Sequence, residues 1–222
     1  AKNLTDTETM LGLLSGDGYE ITADPADADV IVVNTCAFID SAKEESINAI
    51  LEMAEYKKDN CELLVATGCL AQRYKEEIEE QLPEVDIILG TSDYARIAVV
   101  IDEYYADGTK KSIVGDANEN VDENLPRIRS TAPYTAYLKI ADGCDNHCTY
   151  CIIPKLRGKF RSRSEESILS EARQMAAQGV KELILVAQDT AYYGMDFGAH
   201  TLSSLVHKLS LIDGIEWIRL QY

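Results

Sequence analysis

The sequence lacks the features that would mark a membrane, secreted or disordered protein. No run approaches the roughly eighteen apolar residues of a membrane span, and no signal peptide opens the chain. Six cysteines in 222 residues are too unevenly spaced for a disulfide framework. A reducing, cytoplasmic compartment is therefore expected, with no membrane partner. No low-complexity tract or internal repeat is visible. The chain begins at Ala1 without a Met, almost inside a helix, and stops at Gln221-Tyr222 directly after a strand-like run. The expectation is that it is a piece of something longer.

What is present is an ordinary globular composition, 46% apolar and 27% charged. The net charge of −17 is unevenly placed. Residues 1–126 carry 28 Asp and Glu against 9 Lys and Arg, whereas residues 127–222 carry 10 against 12. That break argues for two domains. The acidic first half repels nucleic-acid phosphate and suits a basic partner. Acidic surfaces also keep proteins soluble, so charge alone does not choose between the two.

Hydrophobic periodicity gives the fold class. Thr5-Asp6-Thr7-Glu8 has the form of a capping box, opening a helix with Met10, Leu11, Leu13 and Leu14 that stops near Gly16-Asp17-Gly18. Tyr19–Thr22 reads as a short strand and Val30–Asn34 as a buried one. Ser41-Ala42-Lys43-Glu44 has a second capping-box form, before a helix with Ile47, Ile50, Leu51 and Ala54 on one face. Strands at Leu63–Thr67 and Ile87–Leu89 alternate with helices at 71–81 and 93–105. Residues 106–133 lose periodicity around Asp107-Gly108, Asn118-Glu119-Asn120, Pro126 and Pro133, with one short strand expected near Ser112–Val114. The alternation resumes with strands at 134–140, 182–187 and 216–221 and helices at 164–178 and 202–212. Strands alternating with helices imply parallel βαβ units in a layered α/β fold. The expected division is 1–110, a linker over 111–133, and 134–222.

The chemistry gathers in Cys144-Asp145-Asn146-His147-Cys148-Thr149-Tyr150-Cys151. Three cysteines spaced C-x3-C-x2-C let one loop aim three thiolates at a common point. That suits an iron–sulfur cluster with one iron lacking a protein ligand. Zinc is the alternative, but a structural zinc site wants a fourth Cys or His at fixed spacing, and none follows closely. His147, between the first two cysteines, reads as a loop residue.

Sites in α/β sheets gather at the carboxyl ends of strands. Cys36 follows one such strand and Cys69 follows the next, so both fall at one sheet edge and could share a metal or cluster. Buried cysteine is also common and inert. Cys61, at the opposite end of its strand, reads as a bystander. Gln188-Asp189-Thr190 follows the second strand of the later sheet and either lines a pocket or caps a turn. Lys155, Arg157, Lys159, Arg161 and Arg163 form a basic run able to grip a carboxylate, or simply a solvated loop.

These residues resemble a known family. Cys144-x3-Cys148-x2-Cys151, with Tyr150 before the last cysteine, resembles the signature of radical S-adenosylmethionine enzymes. Asn34-Thr35-Cys36 and Gly68-Cys69-Leu70-Ala71-Gln72-Arg73 resemble the amino-terminal domain of the methylthiotransferases within that superfamily. The resemblance implies a doubly wound parallel-sheet domain lacking its first strand, followed by a truncated partial (βα) barrel. It implies that Cys144, Cys148 and Cys151 hold a [4Fe-4S] cluster that binds S-adenosylmethionine and cleaves it to a 5′-deoxyadenosyl radical. Tyr150, Arg157, Gln188 and Asp189 are the candidate cofactor-binding residues. Cys36 and Cys69 would serve a second [4Fe-4S] cluster. Because Ala1-Lys2-Asn3 resembles the end of the family's Gly-Cys-x-Lys-Asn run, that cluster's third cysteine would fall just before Ala1, and this stretch alone is expected to be inactive.

Two branches compete: one modifies an adenosine of tRNA, the other an aspartate β-carbon on a small-subunit ribosomal protein. Residues 36–46, 152–159 and 188–194 resemble the ribosomal-protein branch; the tRNA branch usually carries Gln-Asn where Gln188-Asp189 stand. The resemblance thus implies a basic ribosomal protein as substrate, an electron donor such as flavodoxin or ferredoxin, and no direct nucleic-acid binding by this stretch. A non-catalytic iron–sulfur or zinc module is the reading from another class.

Overall fold

The computed structural model describes residues 1–119 and 121–221. Asn120, part of the aperiodic run noted above, and Tyr222 lie outside the described residues. The chain runs α1 (Lys2–Gly16), β1 (Val30–Thr35), α2 (Asp40–Ala54), β2 (Leu63–Gly68), α3 (Cys69–Arg73), α4 (Lys75–Gln81), β3 (Ile87–Leu89), α5 (Ile97–Asp107) and β4 (Lys111–Ile113). It continues through β5 (Thr135–Lys139), β6 (Ala141–Asp142), α6 (Ile153–Arg157), β7 (Arg161–Ser162), α7 (Glu165–Ala177), β8 (Glu182–Val186), α8 (Leu202–Ser210) and β9 (Trp217–Gln221).

Strands β1 to β4 form a parallel sheet in sequence order, with Thr35 in register with Gly68. Alternate residues of β2 serve opposite faces. Leu64 and Ala66 join Ile50, Ala54 and Ile78 on the side of α2 and α4, while Leu63 and Val65 join Met10, Leu14, Ile97 and Ile101 on the side of α1 and α5. Burial on both faces explains why β2 is apolar without alternation. Strands β5, β8 and β9 form a second parallel sheet. Its helix-covered face, with Leu138, Leu183 and Leu185, packs on Ile168, Ala172 and Met175 of α7 and Leu205 and Leu209 of α8. The architecture is the expected α/β one, with helices on both faces of the first sheet and a partial (βα) arrangement in the second.

Several local expectations are corrected. Helix α1 begins at Lys2, so Thr5 and Glu8 lie inside it, and Thr5 Oγ1 donates to Lys2 O at 2.7 Å instead of capping. Glu8 is fully buried because Arg127 and Ser130 reach it from beyond the first sheet; tertiary pairing, not capping, fixes its place. Helix α2 starts at Asp40 with Ile39 at its N-cap and no side-chain cap, so the second capping box is absent too. On α2, Ile50 and Ala54 turn inward while Ile47 and Leu51 face solvent. Residues 19–22 form no strand; Tyr19 folds back instead, its hydroxyl donating to Asp102 Oδ1 at 2.7 Å. The helix expected over 71–81 breaks at Tyr74, whose φ of −130° is outside the helical range.

Candidate functional site

The two-stranded antiparallel pair β6–β7, which periodicity did not reveal, frames the cysteine loop. Ala141 pairs with Ser162 and Asp142 with Arg161, so residues 143–160 leave and rejoin the fold at one point. Two turns shape the loop. Gly143 has φ +76°, and a Cβ there would collide with the Lys159 carbonyl. His147 has φ +47°, consistent with a loop residue. The Cys144 N–H donates to Gly158 O at 3.2 Å, and the Cys151 N–H donates to Cys148 O at 2.9 Å.

All three thiols of this loop are unpaired, Cys148 exposed and the other two half-buried. Their number and chemistry fit a thiolate-held cluster with one open iron. Among the described residues, no three His, Cys, Asp or Glu side chains are gathered as a closed metal-ligand set. Tyr150 is 85% exposed beside them.

Cys36 and Cys69 stand at the carboxyl ends of neighbouring strands, immediately after the registered pair Thr35 and Gly68. Local bonds hold the two ends together. Thr35 Oγ1 donates to Thr67 O at 2.6 Å and accepts from the Leu70 N–H at 3.2 Å. Gly68 needs its φ of +94°, and a Cβ there would come within 2.6 Å of Thr35 O. Burial pushes the Cys69 thiol up from its ordinary value, and Arg157 partly offsets this by charge and a hydrogen bond. Cys61 is buried, with its Sγ against Leu63 O at 3.4 Å, at the other end of β2.

The two cysteine sites converge where α1 crosses from one sheet to the other. Asp6 of α1 accepts from Lys139 Nζ at 2.6 Å and from Arg157 Nη1 at 2.7 Å. Asp142, two residues before Cys144, lies 3.4 Å from each of the same cations. Burial alone would lower the Lys139 ammonium, but the Asp6 carboxylate and its neighbours outweigh it and hold it well above the ordinary lysine value. Burial would raise Asp142; Lys139 and Arg157 overcome that and hold its carboxyl well below the usual range. Lys2 Nζ donates to Ala187 O at 3.3 Å at the end of β8. Burial lowers the Lys2 pKa, with Asp142, Cys69 and Cys144 pulling it back, which puts this ammonium in the field of both cysteine sites.

The remaining sequence-singled residues lie along this edge. Gln188 Nε2 donates to Asp142 Oδ1 at 2.9 Å, while its buried Oε1 has no partner among the described residues. Asp189 caps a short 3-10 turn by accepting from the Ala191 N–H at 3.1 Å, and also accepts from Asn146 Nδ2 at 2.9 Å. Arg157 is 5% exposed and engaged with Asp6, Asp142 and Asn3. Of the basic run, Arg163 is likewise held, by Glu171 and Lys139 O. Sequence reasoning missed Lys139 and Asp142 as site residues, and met Asp6 only in an expected capping box and Asn3 only in the family-like run at the chain start. An Asp or Lys inside an apolar periodic run is the only signal they leave.

The Radical SAM superfamily model matches residues 138–221, and the model described as Uncharacterized protein family UPF0004 matches residues 1–90. Across its whole length the chain is 54% identical to the ribosomal protein uS12 methylthiotransferase RimO of Geobacter sulfurreducens and 55% identical to that of Acetivibrio thermocellus. It covers 50% of each, so the chain spans about half the length of the curated relatives it matches. Among solved structures, the radical S-adenosylmethionine methyltransferase TsrM from Kitasatospora setae, with tryptophan and a SAM analogue bound, aligns with a TM-score of 0.60 at 14% identity. That match covers 94% of this chain and 48% of TsrM and concerns the fold alone. Identity above half over all 222 residues, with the two family models in the same chain order as the two sheets, places this chain in the radical S-adenosylmethionine methylthiotransferase family.

Proposed function

We propose that the protein to which this chain belongs inserts a methylthio group at the β-carbon of an aspartate in a small-subunit ribosomal protein. The observation that carries the reading is the 54% identity over the whole chain to a relative named for that activity, supported by Lys2, whose ammonium lies in the field of both Cys69 and Cys144. Cys144, Cys148 and Cys151 would hold one [4Fe-4S] cluster, and Cys36 and Cys69 would contribute to a second. The first, when bound, supplies reductive cleavage of S-adenosylmethionine to a carbon radical that abstracts the substrate hydrogen.

The chain's own residues bind and orient. Cys148 and Tyr150 are exposed on the loop, and Gln188 and Asp189 beside it are held in place by bonds to Asp142 and Asn146. The unpartnered Gln188 Oε1 is an acceptor available to a donor on the cofactor. Water exclusion protects a radical from quenching, and the buried Asp6, Lys139 and Arg157 group closes the side of the site toward α1. Residues 1–126, with 28 acidic against 9 basic side chains, suit a basic ribosomal protein better than tRNA. An electron donor of the flavodoxin or ferredoxin kind would work with it in the cytoplasm.

The test is mass spectrometry of ribosomal proteins and tRNA from a strain lacking the gene. Loss of a methylthio mass from a small-subunit ribosomal protein, restored by the full-length gene, is the expected result. Loss of that mass from tRNA, with the ribosomal proteins unchanged, would assign the tRNA reaction instead.

A further inference from the structure

An arginine has five N–H donors in a rigid planar fork, and those of Arg157 are aimed at partners from three parts of the chain. Nη1 donates to Asp6 Oδ2 at 2.7 Å and lies 3.4 Å from Asp142 Oδ2, two residues before Cys144. Nη2 donates to Asn3 Oδ1 at 2.9 Å. The guanidinium charge also acts on the Cys69 thiol, opposing the rise that burial causes. Asn3 carries the connection onward: its Nδ2 donates to Thr35 O at 3.2 Å, the residue before Cys36, and its carbonyl accepts from Asn34 Nδ2 at 2.9 Å. On the other side Gly158, next to Arg157, accepts from the Cys144 N–H at 3.2 Å. One buried side chain is therefore joined through Asn3 to the carbonyl before Cys36, and through its own neighbour Gly158 to the Cys144 backbone.

A cation needed only to balance a buried carboxylate would be satisfied by Asp6. The extra contacts of Arg157 lead toward the cysteines instead: Asp142 lies two residues before Cys144, and Asn3 reaches the carbonyl before Cys36. We propose that Arg157 is a positioning residue that holds the Cys36–Cys69 strand ends and the Cys144 loop at a fixed separation. This rests on the two-cluster reading above, and it replaces the carboxylate-gripping role that the basic run suggests, because the guanidinium is buried and already holds Asp6, Asp142 and Asn3. A shared rigid partner keeps two redox or radical centres in the geometry that group transfer between them needs. Misplacement by about an ångström costs such a step on the order of 100-fold.

The test uses the full-length protein with its clusters reconstituted anaerobically. Four forms are compared: wild type, Arg157→Gln, Arg157→Lys, and Arg219→Gln, whose exposed pair with Glu182 joins β9 to β8. Iron per chain and the spin–spin splitting between the two reduced clusters by EPR are read without substrate, and methylthiolation kinetics are read with it. Wild type and Arg219→Gln are expected to show the same splitting. Arg157→Gln is expected to keep its iron but change or lose the splitting, with kcat falling at least about tenfold and KM for the ribosomal protein unchanged. Arg157→Lys, which keeps the charge but not the fork, is expected to recover thermal stability without recovering the splitting. Full iron with wild-type splitting in Arg157→Gln, or full recovery of the splitting by Lys, would overturn the inference. Should Arg157→Gln fail to fold, Asn3→Ser removes the Nη2 link and the bond that carries it on to Thr35 while leaving the Asp6 and Asp142 pairs; an unchanged splitting there is equally fatal. A wild-type protein with a single cluster sinks the two-cluster reading and this inference with it. A wrong substrate leaves the splitting untouched, so the two failures are distinguishable.

Discussion

Asn146 and Asp189 tie the cysteine loop to the second sheet: the Asn146 Nδ2 donates to Asp189 Oδ2 over 2.9 Å while Asp189 Oδ1 caps the turn beyond β8. One carboxylate thus serves a loop and a turn that are 43 residues apart. Asp189→Ala removes both bonds and is expected to cost about 1 kcal/mol. Asp189→Asn keeps an acceptor for the cap and should cost less. Urea unfolding separates the two variants, and equal midpoints would show that the tether carries no stability.

The Asp6 carboxylate is 3% exposed by residue and faces Lys139 and Arg157. Removing one partner of a buried ion network leaves the remaining charges under-compensated, at a cost of up to about 3–5 kcal/mol. Asp6→Ala is therefore expected to destabilise by that order, and Glu8→Ala by a similar amount through Arg127. An exposed pair such as Lys181 with Glu216 should give no more than about 1 kcal/mol. Chemical denaturation of the three variants checks the ranking.

The elements that were legible in the sequence are those whose own residues decide their structure. Val30–Thr35, Leu63–Gly68 and Ile87–Leu89 are strands because short apolar runs between turns have no other way to bury both faces. Ser164 caps α7 as its position suggests, accepting from the Ser167 N–H. The failures have tertiary causes. Thr5 and Glu8 have the local form of a cap, but Arg127 and Ser130, about 120 residues away in sequence, draw Glu8 into a buried helix interior. The β6–β7 pair spans two residues per strand, below what periodicity can register. The cysteines were visible because three in eight residues is itself the signal. Asp6, Lys139 and Asp142 were not, because what makes them matter is a partner elsewhere in the chain.

Tyr193 gives a pH test. It is 1% exposed, its hydroxyl donates to Arg163 O at 3.0 Å, and burial pushes its pKa up to about 12. An unfolded tyrosine ionises near about 10. The folded chain therefore holds this proton more tightly, and above pH about 10 ionisation favours the unfolded form. Stability is expected to fall as pH rises from about 10 to about 12. Tyr193→Phe should cost about 1 kcal/mol at neutral pH through the lost bond, and should fall less steeply over the alkaline range. Parallel slopes for the two proteins would mean that other groups govern the alkaline limb.

Gly143 is placed by contact with the far end of its own loop. Its φ of +76° is strained for any L side chain, and a methyl there would strike the Lys159 carbonyl. Gly143→Ala is expected to displace Cys144 relative to Gly158 and to cost on the order of 1–3 kcal/mol. Gly179, also at positive φ but with open space around it, provides the comparison. Gly179→Ala carries the backbone strain without the collision. Thermal melts of both variants isolate the collision, and equal losses would show that strain alone accounts for Gly143.

The cysteines themselves separate chemistry from packing. Cys144, Cys148 and Cys151 are unpaired thiols on one loop, Cys36 and Cys69 end adjacent strands, and Cys61 is buried at the opposite end of β2. In full-length protein reconstituted without oxygen, Ser at any of the three loop positions is expected to remove about four irons. Ser at Cys36 or Cys69 should remove a second, separate set of about four. Cys61→Ser should remove none, and should instead lower stability modestly by placing a hydroxyl among Ile31, Leu64 and Ile50. Iron assay beside a thermal melt reads both effects at once. Iron loss in Cys61→Ser at unchanged stability would move this thiol out of the core and into the ligand set.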